Sequence, residues 1–239
     1  MMSYTLQPIA HIHSPFREKF ATPRQPGLTP SIRGIVEFCP GFDAHETVRG
    51  LDEFSHIWLL FIFHQNWKEG WTPTVRPPRL GGNKRVGVFA SRSPFRPNPI
   101  GLSAVKLLTI NHEGGKLSLE VQGPDLIDQT PVVDVKPYIS YGDSIPNATS
   151  GFAPEAPAKS LTIEFSFHAR KRLEALKPEF PELEQNINEC LRLDPRPAYR
   201  RKKNDQQIYG IAFGPFNIRW QVIDGRACVL TIDQGDPTR

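Results

Sequence analysis

The chain has 239 residues and a formal net charge of +4, and 38% of its residues are hydrophobic. This composition supports a packed core and excludes wholesale disorder. The 24 prolines exclude a mainly helical protein, because proline removes a backbone donor and clashes with the preceding helical turn. The cysteines Cys39, Cys190 and Cys228 form no CxxC pair, which argues against a disulfide framework and against a thiolate zinc site.

The N-terminal sequence does not indicate a signal for export. Its first residues, MMSYTLQPIAHIHSPF, lack the basic and apolar regions of a signal peptide. The longest apolar run, residues 54–63, has about half the length that a membrane-spanning helix needs. We therefore expect a cytoplasmic protein without membrane association.

His11 and His13 would share one face of a strand, but no carboxylate accompanies them at a suitable spacing, so no metal site is predicted.

Short alternating runs, bounded by Gly, Pro and Asn, follow one another up to about residue 145. Such period-two runs predict an antiparallel sheet that closes into a barrel or sandwich. The predicted strands are residues 8–13, 31–38, 54–63, 84–90, 102–110, 116–122 and 131–136. One early helix is predicted where Asp43 and Glu46 form a capping box. No glycine fingerprint follows a strand, so a doubly wound nucleotide-binding fold has no support.

Residues 146–159 are rich in Pro, Ala, Ser and Gly and have no periodicity, which predicts a linker between a domain of residues 1–145 and one of residues 160–239. The elements predicted beyond it are a strand at 160–167, helices at 168–177 and 181–193, and strands near 207–213, 216–223 and 226–232. Asp224-Gly225 is a typical hairpin turn. Together they predict a small α+β C-terminal domain.

Positive charge is concentrated in two blocks. Between residues 70 and 112 there is no Asp or Glu, and the cations there are Arg76, Arg79, Lys84, Arg85, Arg92, Arg96 and Lys106. The second block, in PRPAYRRKK, contains Arg196, Arg200, Arg201, Lys202 and Lys203. Blocks of one sign are typical of a surface that binds a polyanion. For either block alone, a solvated basic loop is the alternative.

Three loop segments, residues 21–27, 90–103 and 128–138, place Arg, Asn or Asp between prolines that restrict the backbone. Rigid loops with polar side chains at a barrel rim suit a small polar ligand. The alternative is a set of turns whose arginines face water. The presence of three such segments favours the ligand.

Five motifs resemble those of the TsaA/TrmO family, the bacterial tRNA (adenine-N6)-methyltransferases once called YaeB. They are PRQPG, VRPPRLGGN, SRSPFRPNPIGLS, DQTPVVDVKPY and DPRPAYR. The likeness extends from about residue 5 to the C-terminal strands. It implies a mainly β, α+β protein, in which an N-terminal single-sheet antiparallel β-barrel binds S-adenosylmethionine and a small C-terminal domain contacts tRNA.

The resemblance implies cofactor contacts at four places. The matching residues are Pro23, Arg24 and Gln25; His64 and Gln65; Arg92 and Leu102; and Asp128, Gln129, Thr130 and Pro131. S-adenosylmethionine offers an adenine edge for amide groups, a carboxylate for arginine, and a sulfonium that prefers nearby oxygens. The family's usual DGTP has Gln129 in place of its glycine here. If that position has positive φ, glutamine costs roughly 1 kcal/mol.

The DPRPAYR motif implies tRNA contacts by Asp194, Arg196, Tyr199 and Arg200. The arginines would meet phosphates, and Tyr199 would stack on a base of the anticodon loop. The alternative interpretation is a proline-fixed helix terminus in which Asp194 forms a structural salt bridge.

The implied reaction is methylation of N6 of threonylcarbamoyladenosine at tRNA position 37, by a homodimer whose cofactor pocket lies near the subunit interface. The sequence leaves the general base open; the candidates, unranked, are Asp128, Asp134, Tyr138 and Asp194. Two other functions stay open. One is a non-catalytic RNA-binding β-barrel, and the other is a methyltransferase for a different small acceptor.

Overall fold

The computed structural model describes residues 4–158, 160–201 and 207–235. The strands of this part are β1 (Ala10–His13), β2 (Arg33–Phe38), β3 (His56–Ile62), β4 (Thr74–Val75), β5 (Val86–Gly87), β6 (Ile100–Glu113), β7 (Lys116–Gln122), β8 (Thr130–Pro137), β9 (Thr162–Phe165), β10 (Tyr209–Phe213), β11 (Phe216–Ile223) and β12 (Arg226–Gln234). The α-helices are α1 (Ser140–Asp143), α2 (Phe167–Leu176) and α3 (Leu183–Arg192). Single 3-10 turns lie at His45–Val48, Leu51–Glu53, His64–Asn66, Pro78–Leu80 and Val88–Ala90.

The N-terminal strands form a closed antiparallel barrel in the order β1-β2-β7-β6-β3-β8, so the predicted single-sheet barrel is confirmed. Because neighbouring strands alternate in direction, the connections are divided between the two ends. Residues 39–55 and 114–115 connect strands at one end. Residues 14–32, 63–99 and 123–129 connect strands at the other, which we call the loop end.

The side chains at every second strand position fill the interior of the barrel, as the sequence pattern predicts. Leu117, Leu119 and Val121 of β7 are fully buried, and each such side chain contributes about 1.5–3 kcal/mol. On β6, a Cβ at Gly101 would lie 2.2 Å from the ring of Phe61. Only glycine therefore allows the Phe61 ring to lie over this strand.

Two local predictions in this region are wrong. Residues 84–90 do not form a barrel strand: only Val86–Gly87 is extended and pairs with β4, and Val88–Ala90 turns into a 3-10 helix. The alternation of apolar residues does not indicate a barrel strand here, because the segment packs within its own long loop. The capping box is also wrong, since Asp43 accepts a hydrogen bond from the Gly41 N–H and no side chain caps the turn at His45–Val48.

The C-terminal residues form a four-stranded sheet, order β10-β11-β12-β9, in which β9 runs parallel to β12 and α2 and α3 pack against the sheet. The predicted α+β architecture is confirmed. Helix α3 buries Leu183, Ile187 and Cys190, as its pattern indicates. Asp224 and Gly225 have φ of 47° and 75°, the left-handed conformation of a tight hairpin turn.

Two hydrophobic cores result, one inside the barrel and one between the C-terminal sheet and its helices. The second core includes Phe16, Ala21 and Ile32, which belong to the loop between β1 and β2. The β1–β2 loop therefore belongs structurally to both halves of the molecule. The predicted domain limits, with a linker at 146–159, stay a prediction. In the described ranges, no helix is both long and apolar enough to cross a bilayer.

Candidate functional site

The barrel topology brings all four predicted cofactor segments to the loop end. Residues 23–25 lie in the β1–β2 loop, and residues 64–65 follow β3 directly. Arg92 lies in the β3–β6 loop, with Leu102 near the start of β6. Residues 128–131 close the β7–β8 connection and begin β8. Segments that are about 100 residues apart in sequence are therefore neighbours in space, because antiparallel strands return the chain to the same end.

A direct contact joins two of these segments. The Arg92 guanidinium donates a hydrogen bond through Nη1 to Oε1 of Gln25. The Gln25 side chain in turn donates through Nε2 to the backbone carbonyl of Arg24. Arg92 is exposed and Gln25 is half-buried. The first and third predicted loops thus form one polar surface that faces solvent.

Arg24 extends this surface toward the C-terminal half. Burial lowers the pKa of Arg24, and the positive charge of Arg201 lowers it further. Among the described residues, no carboxylate forms an ion pair with Arg24. The Arg201 guanidinium has a carboxylate partner, since its Nε lies 3.9 Å from Oδ2 of Asp194, whereas Arg24 has none within the described ranges, so the surface at Arg24 favours an anion.

The fourth segment is held by the end of β1. Asp128 accepts a hydrogen bond through Oδ1 from the Ser14 N–H at 3.0 Å, and its side chain is 35% exposed. Gln129 has φ of 61°, and its Nε2 lies 3.0 Å from Nδ1 of His13. Gln129 therefore has a left-handed backbone conformation, in which a residue with a Cβ is strained.

Pro23 is buried, and four further members of the set differ in accessibility. Thr130 is buried and donates its hydroxyl to the Ile127 carbonyl at 2.6 Å, and Pro131 pairs with His11 of β1. Leu102 is 50% exposed on the outer wall of the barrel, and Gln65 is exposed. Thr130 and Pro131 therefore shape the loop end, whereas Leu102 and Gln65 are accessible to a ligand or a neighbouring protein.

His64 adds a neutral polar group. Burial lowers the pKa of His64, the neighbouring His11 and Lys19 lower it further, and the Ile62 carbonyl opposes the change. A histidine with a lowered pKa is uncharged near neutral pH, so the His64 ring can both donate and accept a hydrogen bond.

Sequence reasoning missed Asp125 in the β7–β8 connection. Its carboxyl is largely buried and accepts a hydrogen bond from the Ser103 hydroxyl at 2.6 Å. Burial raises the pKa of Asp125 to about 6, although Ser103 and the charge of Arg92 act in the opposite direction. One signal was available: Ser103 is polar at a position of β6 where the alternation requires an inward-facing apolar residue.

The C-terminal loop that carries DPRPAYR is organised by a buried ion pair. Asp194 and Arg196 are each 3% exposed, and the two Asp194 oxygens accept from Nε and Nη2 of Arg196 at 2.8 and 2.9 Å. Asp194 has φ of 46°. Burial does not fit the predicted contact of these two side chains with tRNA, because Arg196 binds a carboxylate instead. The alternative salt-bridge interpretation fits the geometry.

The other residues of this loop are accessible. Tyr199 is 65% exposed, and the Arg200 guanidinium lies 5.8 Å from its ring centroid. Arg201 donates through Nη2 to the Asp194 carbonyl at 2.7 Å, and its positive charge acts on Arg24. The predicted cations Lys202 and Lys203 lie outside the described residues.

The four candidate bases occupy different places. Asp134 pairs with Lys136 at 2.9 Å, and the Tyr138 ring packs on Trp58 toward the opposite end of β8. Asp194 is buried in the C-terminal loop. Asp128 is the member of this group that lies at the loop end. In the described part of the chain, no group of three His, Cys, Asp or Glu side chains is arranged to hold a metal ion.

Comparison with known proteins agrees with this arrangement along the whole chain. The family model of the tRNA-methyltransferase O N-terminal domain matches residues 11–144, and that of the TrmO C-terminal domain matches residues 158–235. The tRNA (adenine(37)-N6)-methyltransferase of Escherichia coli is 46% identical over 98% of this chain and 99% of its own. The mouse protein of the same name is 44% identical over 59% of this chain and 32% of its own.

Two further matches come from Pseudomonas aeruginosa. The protein RcsF, whose name assigns it to the S-adenosylmethionine-dependent methyltransferases, is 44% identical over 92% of this chain and 93% of its own. The crystal structure of TrmO from this organism superimposes with a TM-score of 0.80 and 36% identity, over 98% of this chain and 99% of that one. From its barrel to its C-terminal sheet, the chain belongs to the TrmO family.

Proposed function

We propose that this protein transfers the methyl group of S-adenosylmethionine to N6 of adenosine 37 in tRNA, and that this adenosine carries a threonylcarbamoyl group. One observation supports this most directly: in a member of the TrmO family, four loop segments with cation, amide and carboxylate side chains meet at one barrel end. The relatives named as tRNA (adenine(37)-N6)-methyltransferases support N6 methylation of adenine 37, and the motif resemblance supports the threonylcarbamoyl group.

The side chains at the loop end fit S-adenosylmethionine chemically. Arg24 and Arg92 offer guanidinium groups for the carboxylate of the methionine moiety. Gln25 provides an amide that can recognise an adenine edge, and Asp128 a partly exposed carboxylate for the sulfonium. Leu102 offers apolar surface to the adenosine. When bound, S-adenosylmethionine supplies an activated methyl group on a neutral leaving group.

The residues of the chain have two tasks in this reaction. Since the leaving group is neutral, they chiefly align donor and acceptor and exclude water. The acceptor N6 is conjugated and must lose a proton during or after attack. We assign that proton to Asp128, because it is the candidate base located at the loop end and its carboxylate is accessible.

The tRNA surface we propose runs from the loop end to the C-terminal loop. Tyr199 stacks on a base of the anticodon loop, while Arg200 and Arg201 meet phosphates. The electrostatic effect of Arg201 on Arg24 supports this assignment, since it links the basic C-terminal loop to the first cofactor loop. Asp194 and Arg196 hold the backbone of this loop in place.

We further propose a homodimer through the outer wall of β3 and β6. Leu102 and Ile100 are 50% and 37% exposed and face outward beside Leu60 and Ile62, their pairing partners on β3. An apolar strip of this kind next to Leu102 would bring a second copy beside the cofactor. The substitution Ile100→Glu should yield monomers by light scattering; a dimer of unchanged affinity would contradict this interface.

The central experiment is methylation in vitro. Purified protein, S-adenosylmethionine and tRNA bearing N6-threonylcarbamoyladenosine at position 37 should yield the N6-methylated nucleoside by mass spectrometry of the digested tRNA. The matched control is the same tRNA with unmodified adenosine 37, which should give little product. Binding of tRNA without binding of S-adenosylmethionine would instead favour a non-catalytic RNA-binding barrel, and methylation of another acceptor alone would favour a different methyltransferase.

A further inference from the structure

The first cofactor loop is anchored on the C-terminal sheet. Strand β10 is an edge strand of that sheet, and the segment from Phe16 to Phe20 lies along it with alternate residues facing it. The contacts are an isolated bridge and a ring contact of 5.8 Å between Phe16 and Phe213, a 3.0 Å hydrogen bond from the Ala212 N–H to Oε1 of Glu18, and stacked rings 6.1 Å apart for Phe20 and Tyr209. The loop therefore covers a strand edge that would otherwise be open.

The chain bends sharply where this anchored segment ends. Ala21 has φ of 67°, an unfavourable conformation for a residue with a Cβ, and it is packed in the C-terminal core with 8% exposure. Such a conformation persists only where the surroundings determine it. Thr22 secures the bend by donating its hydroxyl to the Glu18 carbonyl at 2.6 Å.

The bend leads directly into the predicted cofactor residues. Pro23, Arg24 and Gln25 follow Thr22, and Gln25 contacts Arg92 across the loop end. A continuous series of contacts thus runs from the edge of the C-terminal sheet, through both the carboxylate and the carbonyl of Glu18, to the side chains that face the cofactor.

We propose that Glu18 is a positioning residue for the cofactor loop. Through its hydrogen bond to Glu18, the C-terminal sheet then influences how tightly the loop end binds S-adenosylmethionine. This rests on the proposed function, which places S-adenosylmethionine at the loop end. The Glu18 carboxylate accepts a charge-assisted hydrogen bond from a backbone donor. Alanine at position 18 removes the acceptor, whereas glutamine keeps one.

The test compares full-length variants by calorimetric titration with S-adenosylmethionine and by thermal unfolding. Glu18→Ala should raise the dissociation constant about threefold to tenfold, the range of coupling through a packed element. Glu18→Gln should remain within about twofold of the wild type. The matched control is Asn186→Ala, which removes another contact between the halves, the 2.6 Å bond from the Ser31 hydroxyl at the other end of the same loop.

The control distinguishes positioning of the cofactor loop by Glu18 from a general loss of contacts between the two halves. Asn186→Ala should leave the dissociation constant within about twofold of wild type even where its melting temperature falls as far as that of Glu18→Ala. Unchanged affinity in Glu18→Ala, or an equal loss in Asn186→Ala, overturns the inference. If Glu18→Ala does not fold, Phe20→Leu removes the stacking on Tyr209 and should weaken binding in the same direction. A wild-type chain that binds no S-adenosylmethionine would refute the proposed function instead.

Discussion

The loop end of the barrel and the C-terminal loop both carry arginines between prolines, yet the two loops use them differently. At the loop end, Arg92 is exposed and contacts a neutral amide, Gln25. In the C-terminal loop, Arg196 is buried and contacts a carboxylate, Asp194, at two points. An arginine whose charge is already neutralised by a carboxylate is not available to a ligand, whereas one beside a neutral group can bind an anionic ligand.

The largest effect should come from breaking the buried pair. Asp194→Ala leaves the Arg196 charge buried without its carboxylate and should lower the free energy of unfolding by about 3–5 kcal/mol, measured by denaturant titration. The control removes both charges: Asp194→Leu with Arg196→Met should recover much of that stability. A loss below about 1 kcal/mol in Asp194→Ala would show that the pair does not hold this loop.

At the loop end, Asp125 has a largely buried carboxyl, and its contribution to the free energy of unfolding should depend on pH. Because burial raises the pKa of Asp125 to about 6 from 3.8, the folded state binds this proton more tightly than the unfolded state. Stability should therefore fall as pH rises from about 4 to about 6, by roughly 3 kcal/mol, and level off above. Asp125→Asn should remove that contribution, as denaturant titrations across this pH range would measure. An unchanged pH profile would contradict a raised pKa at Asp125.

The exposed arginine should matter to ligand binding and little to stability. Arg92→Ala should weaken S-adenosylmethionine binding by about 1.5–3 kcal/mol in calorimetry, the contribution of a charge-assisted hydrogen bond. The matched control is Arg85→Ala in the same basic block, where the guanidinium donates to the Thr74 hydroxyl at 2.9 Å. Arg85→Ala should bind the cofactor normally. Equal affinity in the two variants would remove Arg92 from the site.

The smallest effect concerns backbone strain at the loop end. Gln129→Gly places a residue without a Cβ at φ of 61° and should raise the free energy of unfolding by about 0.5–1 kcal/mol, measured by denaturant titration. Gln129→Ala is the control, since it keeps the Cβ and loses the contact with His13. If the alanine variant is at least as stable as the glycine variant, strain does not govern this position.

Much of the fold was predictable because its signals are local. Alternation in residues 116–122 predicts a half-buried strand, and Asp224-Gly225 predicts a tight turn, since each depends on a few adjacent residues. The failures arose where a local pattern was overruled by the surroundings. Residues 84–90 alternate like a strand but fold within a long loop, and Asp43 caps a turn at Gly41 instead of a helix.

By itself, the sequence determined the barrel, the α+β C-terminal half and the family, and it predicted which loop segments contact the cofactor. Only the tertiary structure decided which charged side chains are available. It buried Arg196 against Asp194, left Arg92 exposed, revealed Asp125, and placed Phe16 and Ala21 in the core of the other half. The physical reason is that burial and ion pairing depend on residues far apart in the chain, whereas period and turn chemistry depend on near neighbours.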